Sequence, residues 1–62
     1  MKMNTFQKIE ETKSLLFWIE QNLLLAKKSL EFYKKWGDDV FKDHAREFIA
    51  RANRFKSLLK QL

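Results

Sequence analysis

The sequence predicts an all-α fold, an antiparallel helical hairpin that pairs with a second copy into a four-helix bundle. Three observations carry that expectation. Pro is absent and Gly occurs once in 62 residues, so little in the chain interrupts a helix or builds a β-hairpin. Apolar residues recur at alternating spacings of three and four along most of the length. The pattern breaks in one place only, Trp36-Gly37-Asp38-Asp39.

The first helix is expected from about Thr5 to Trp36, the turn at residues 37–38, and the second helix from about Asp39 to Gln61, all within one domain spanning 1–62. Gly37 suits the left-handed position that ends a helix. Asp38 or Asp39 suits the cap of the next one, with negative charge at its positive end. At ~1.5 Å per residue the helices are about 45 and 35 Å long, so the start of the first projects beyond the second.

The second helix carries one continuous seam: Phe41, Ala45, Phe48, Ala52, Phe55, Leu59, Leu62. Large and small residues alternate along most of it, which suits a closely approaching antiparallel neighbour. The first helix carries two seams. One runs Ile9, Thr12, Leu16, Ile19, Leu23, Ala26, Leu30, Tyr33, and the other Leu15, Trp18, Asn22, Leu25, Ser29, Phe32, Trp36. Their mean directions differ by roughly 100°, as for a helix that touches two neighbours in a bundle. The first seam, Leu16, Ile19, Leu23, Ala26 and Leu30, is assigned to the core of the hairpin, against Phe41, Ala45, Phe48, Ala52, Phe55 and Leu59, although both seams keep heptad spacing and the spacing leaves open which of them faces the second helix. That assignment leaves Leu15, Trp18, Asn22, Leu25, Phe32 and Trp36 for a partner, with Asn22 placed either to fix the register of a dimer or to lie at its rim.

Magnitude makes the second seam informative. Left in water, Leu15, Trp18, Leu25, Phe32 and Trp36 forfeit about 1.5 to 3 kcal/mol each, or roughly 7 to 15 kcal/mol together. That rivals the whole stability of a domain. A chain this short also needs reinforcement, and with no Cys and one His it has neither disulfides nor a conventional zinc site to supply it. Oligomerisation is the expected remedy, and a two-fold dimer is its simplest form.

The formal net charge is +5. The longest apolar run, Leu15 to Ile19, is far short of the roughly 20 residues of a membrane span, and acids interrupt the N-terminal stretch where a signal peptide would be apolar. A cytoplasmic protein without a membrane span is expected. His44, with Asp43 and Glu47 nearby, is the one cluster that resembles an active site. The first helix brings no acid into either seam to complete a metal centre, so a flanking histidine is the simpler reading. Ser14, Ser29 and Ser57 lack a recognisable base, and no Gly-rich loop cradles phosphate. No catalysis, cofactor, metal or small-molecule substrate is expected.

Two binding readings follow. Heptad placement of Trp18 and Trp36 favours a protein interface, through self-association or another protein, in a small regulator or adaptor. The alternative is RNA or DNA binding through a basic face on the second helix, with Arg46, Asn53, Arg54 and Lys60 gripping phosphates. A competing account of the same charges pairs Arg54 with Glu20 and Lys35 with Asp39 across the hairpin. The length, the cysteine-free hairpin and the alternation of small and large layers resemble the Rop family of plasmid RNA-binding regulators. That resemblance is architectural and implies a dimeric four-helix bundle; no residue is carried over from it.

Overall fold

The computed structural model describes residues 4–62, which form two helices, α1 (Thr5–Trp36) and α2 (Asp39–Lys60). Residues 1–3, part of the stretch read above for targeting, lie outside the described residues.

Both N-terminal ends are capped by side chains next to them in sequence, and both C-terminal ends by backbone N–H groups. The Asn4 side chain accepts from the Gln7 N–H at 2.8 Å, and the Gln7 side chain accepts from the Asn4 N–H at 3.3 Å, a reciprocal capping box. α1 therefore starts without help from α2. This matters because α1 has 32 residues and α2 has 22, so about 15 Å of α1 runs on past its neighbour. At the other end Gly37 takes φ 67° and ψ 16° and donates its N–H to the Tyr33 carbonyl at 2.7 Å. A Cβ there would meet nothing within 4 Å, so the demand for Gly comes from the left-handed backbone alone. Asp38 caps α2 by accepting from the Val40 N–H at 3.0 Å. Asp39 in the first turn of α2 and Lys34 and Lys35 in the last turn of α1 complement the helix dipoles.

The helices lie side by side in a rod of 48 × 14 × 11 Å. Contacts fix the register at both ends. Near the turn Phe41 packs on Phe32 and Trp36, with ring centroids 5.5 and 5.7 Å apart, and the Lys42 ammonium sits 5.9 Å from the Tyr33 ring centre. At the open end Thr12 and Ile9 line a groove with Leu59 and Leu62. Carried between those ends, this register brings Ser29 level with Ala45, Ala26 with Phe48, and Asn22 with Ala52.

On α2 the seam faces α1 as the spacing predicts. Ala45 and Ala52 are buried, and Phe41, Phe48, Phe55, Leu59 and Leu62 are half-buried. On α1 the face differs from the assigned seam. Leu15, Ile19, Asn22, Ala26 and Ser29 are buried, with Thr12 and Tyr33 half-buried beside them, and this line runs between the two seams. Leu16, Leu23 and Leu30, assigned to the hairpin core, are instead 51%, 40% and 41% exposed, whereas Leu15 and Asn22, assigned to a partner, lie inside.

The reason is steric. Asn22, Ala26 and Ser29 put small side chains on successive turns in the middle of α1, and along their line α2 can bring Ala45 and Ala52 into close contact. Packing there also half-shields both rows of large residues at once, where packing on either seam would shield one and abandon the other. Asn22 needs no counterpart in a second chain, because its side-chain amide donates to the Trp18 carbonyl one turn earlier at 2.7 Å. Among the described residues no side-chain hydrogen bond crosses from α1 to α2, the pairs Arg54–Glu20 and Lys35–Asp39 included. Apolar packing and the turn hold the hairpin together.

Candidate functional site

The surface that distinguishes this chain is what its core leaves uncovered. Its accessible area is 5260 Å². Size scaling gives a compact monomer of this mass about 4,300 Å². The elongated shape contributes to the excess, and so do large apolar side chains that fold to the sides of the rod. They form two flanks.

One flank is aromatic. Trp18, Leu25 and Phe32 follow one another at heptad spacing along α1 and are 51%, 41% and 42% exposed. Trp36 extends the row toward the turn and Leu58 borders it from α2, both well exposed. Phe17 meets Trp18 edge-on at 5.2 Å, and Phe32 stacks on Trp36 at 5.1 Å with the planes 11° apart. Phe41 draws Phe32 and Trp36 toward α2, and His44 stands edge-on to Phe41 at 6.5 Å. The end nearest the turn is thus a pre-formed aromatic cluster, its rings ordered against each other while keeping free faces. Such ordering lowers the entropic cost of docking.

The opposite flank is aliphatic. Ile9, Leu16, Leu23 and Leu30 make a second heptad row on α1, joined by Ile49 from α2, and all five are more than one-third exposed. It continues at the open end into the groove of about 510 Å³ whose apolar walls are Ile9, Leu59 and Leu62, with Lys8 and Lys13 on its rim. The sequence reading treated most of this row as core and so missed it as a surface. The signal was present in the line Thr12, Ile19, Ala26, Tyr33 and Leu15, Asn22, Ser29, which itself keeps alternating spacings of three and four and leaves Leu16, Leu23 and Leu30 outside.

The other candidates fall into place around these flanks. Of the residues assigned to a partner, Trp18, Leu25, Phe32 and Trp36 share the aromatic flank. Arg46, Asn53, Arg54 and Lys60 are all exposed on α2, with Arg46, Asn53 and Lys60 at heptad spacing along one line. Arg51 differs, because its guanidinium lies over the Phe48 ring at 5.6 Å. His44 is exposed, and among the described residues no three His, Cys, Asp or Glu side chains gather to hold a metal ion. No helix among the described residues is long and apolar enough to cross a membrane. The chain matches no protein-family model, no curated protein and no solved structure.

Proposed function

We propose that the chain is a non-catalytic binding protein that self-associates through its aromatic flank, most simply as a two-fold dimer forming a four-helix bundle, and acts by engaging another protein. The observation that supports this reading is the half-exposed row Trp18, Leu25, Phe32 and Trp36 on one side of an already folded hairpin. Trp and Phe rings each bring up to about 150–250 Å² to an interface, so the uncovered halves of three rings with Leu25 and Leu58 offer on the order of 500 Å² of apolar surface per chain. Two copies then reach the roughly 1,000 Å² at which specific interfaces begin, before the polar rim is added. Beside the row stand Glu11 and Glu47 with Lys28, Lys35, Arg51 and Arg54, and the two acids of each copy can pair with cations of the other across a two-fold axis.

The test is the double substitution Trp18→Ala with Phe32→Ala. Both side chains are half-exposed, so the helical circular dichroism is expected to persist while the mass measured by light scattering falls to that of one chain. An unchanged assembly removes this flank as the interface.

A second reading rests on the exposed row Arg46, Asn53 and Lys60 with Arg54 beside it, whose side chains suit phosphate and base contacts. It requires RNA or DNA binding that weakens steeply with salt, because each neutralised phosphate releases counterions. Absence of a mobility shift with micromolar protein at low salt rules it out.

A further inference from the structure

We infer that the aliphatic flank, on the side of the hairpin away from the aromatic one, is a docking site for an acidic amphipathic helix of a partner protein. The inference deepens the protein-binding reading above by naming the partner's chemistry; it does not depend on how the chain self-associates.

The charge pattern of this flank carries the argument. Its apolar row, Leu16, Leu23 and Leu30, has Lys13, Lys27 and Lys34 along its outer edge on α1. On the α2 side it is bordered by Lys42 and Lys56, with Arg46 and Lys60 beyond them. Two contacts agree with this placement: the Lys42 ammonium lies 5.9 Å from the half-buried Tyr33 ring, and Lys13 lines the open-end groove with Ile9. The acids here are Glu20 and Asp39, so this flank holds much of the chain's excess of positive charge. An apolar line edged by cations on both sides is the complement of a helix whose apolar stripe is edged by Asp and Glu. The row from Ile9 to Leu30 runs about 31 Å, the length of a helix of three heptads.

Other occupants fit less well. A second copy would bring the same cations face to face, and like charges set opposite each other disfavour association. Nucleic acid would leave the aliphatic row, which has no hydrogen-bonding groups, against phosphates and sugars. A lipid surface is best met by Trp at the headgroup level, and both Trp residues lie on the other flank.

The experiment uses the full chain and two labelled three-heptad peptides, each with a Leu seam, one edged by Glu and the other by Lys. Fluorescence anisotropy is expected to show binding of the Glu-edged peptide at least about tenfold tighter than the Lys-edged one, weakening with salt. Leu23→Gln with Leu30→Gln is expected to weaken it about tenfold. Lys27→Glu with Lys56→Glu, chosen because exposed lysines leave the fold intact, is expected to reverse the preference between the two peptides. Trp18→Ala with Phe32→Ala is expected to leave peptide affinity within about twofold even where it changes the assembly, which separates this site from the aromatic one. Equal binding of both peptides, binding of neither, or binding to phosphatidylglycerol vesicles or duplex DNA with no binding of the Glu-edged peptide overturns the inference.

Discussion

The inner face of this hairpin and its two flanks reverse the usual division of labour between core and surface. Inside are Leu15, Ile19, Asn22, Ala26 and Ser29 facing Ala45 and Ala52, so that small residues outnumber large ones there, and among the described residues no large side chain is fully buried. Outside, at the sides, are Trp18, Trp36, Phe32 and five Leu residues, each 40% exposed or more. A protein built to be complete alone places its largest apolar groups where they lose the most water. Here the small residues set the distance between the helices and the large ones are held at the edges, available. The difference teaches that in this hairpin close approach of the helices is set by small residues, while much of the large apolar surface stays at the edges.

That contrast can be broken or sharpened by substitution. The largest effect is expected from Ile19→Ala, which removes the bulkiest aliphatic side chain buried with Leu15 between the helices and is expected to cost about 2–4 kcal/mol in urea unfolding. Leu16→Ala deletes a side chain of similar size three residues away on the flank, and a cost for the hairpin of less than half as much is expected. Equal losses would show that the flank is as much a part of the chain's own core as the inner face. Ala52→Leu tests the spacing itself. With Ala52 fully buried, the added atoms must push the helices apart, at about 1–3 kcal/mol. Gly37→Ala has the smallest expected effect. Nothing crowds the new methyl group, so the cost is that of the left-handed backbone alone, about 1 kcal/mol, read as a small drop in the urea midpoint with the mass of the assembly unchanged.

The turn and the register were legible because they rest on local rules. Gly37 followed by two Asp residues admits one plausible loop, and the heptad seam of α2, unique on its helix, then aligns itself. The face of α1 was not legible from apolar spacing because two seams of equal periodicity compete and periodicity does not choose between them. Packing decides, since Ala45 and Ala52 reward closeness and the line through Asn22, Ala26 and Ser29 allows it. For the same reason Asn22 read as a polar mark in an interface between chains, when its side chain closes a hydrogen bond within its own helix. The aromatic row was visible in the spacing. The aliphatic row became visible only once α2 was known to lie between the two.

Sedimentation equilibrium of the unmodified chain, over protein concentrations from about one to several hundred micromolar, tests most directly whether the hairpin is completed by association. The account expects the weight-average mass to rise from that of one chain to at least that of two, with quenching or a spectral shift of Trp18 and Trp36 fluorescence over the same range. A single-chain mass throughout, with both indoles unchanged, would contradict it.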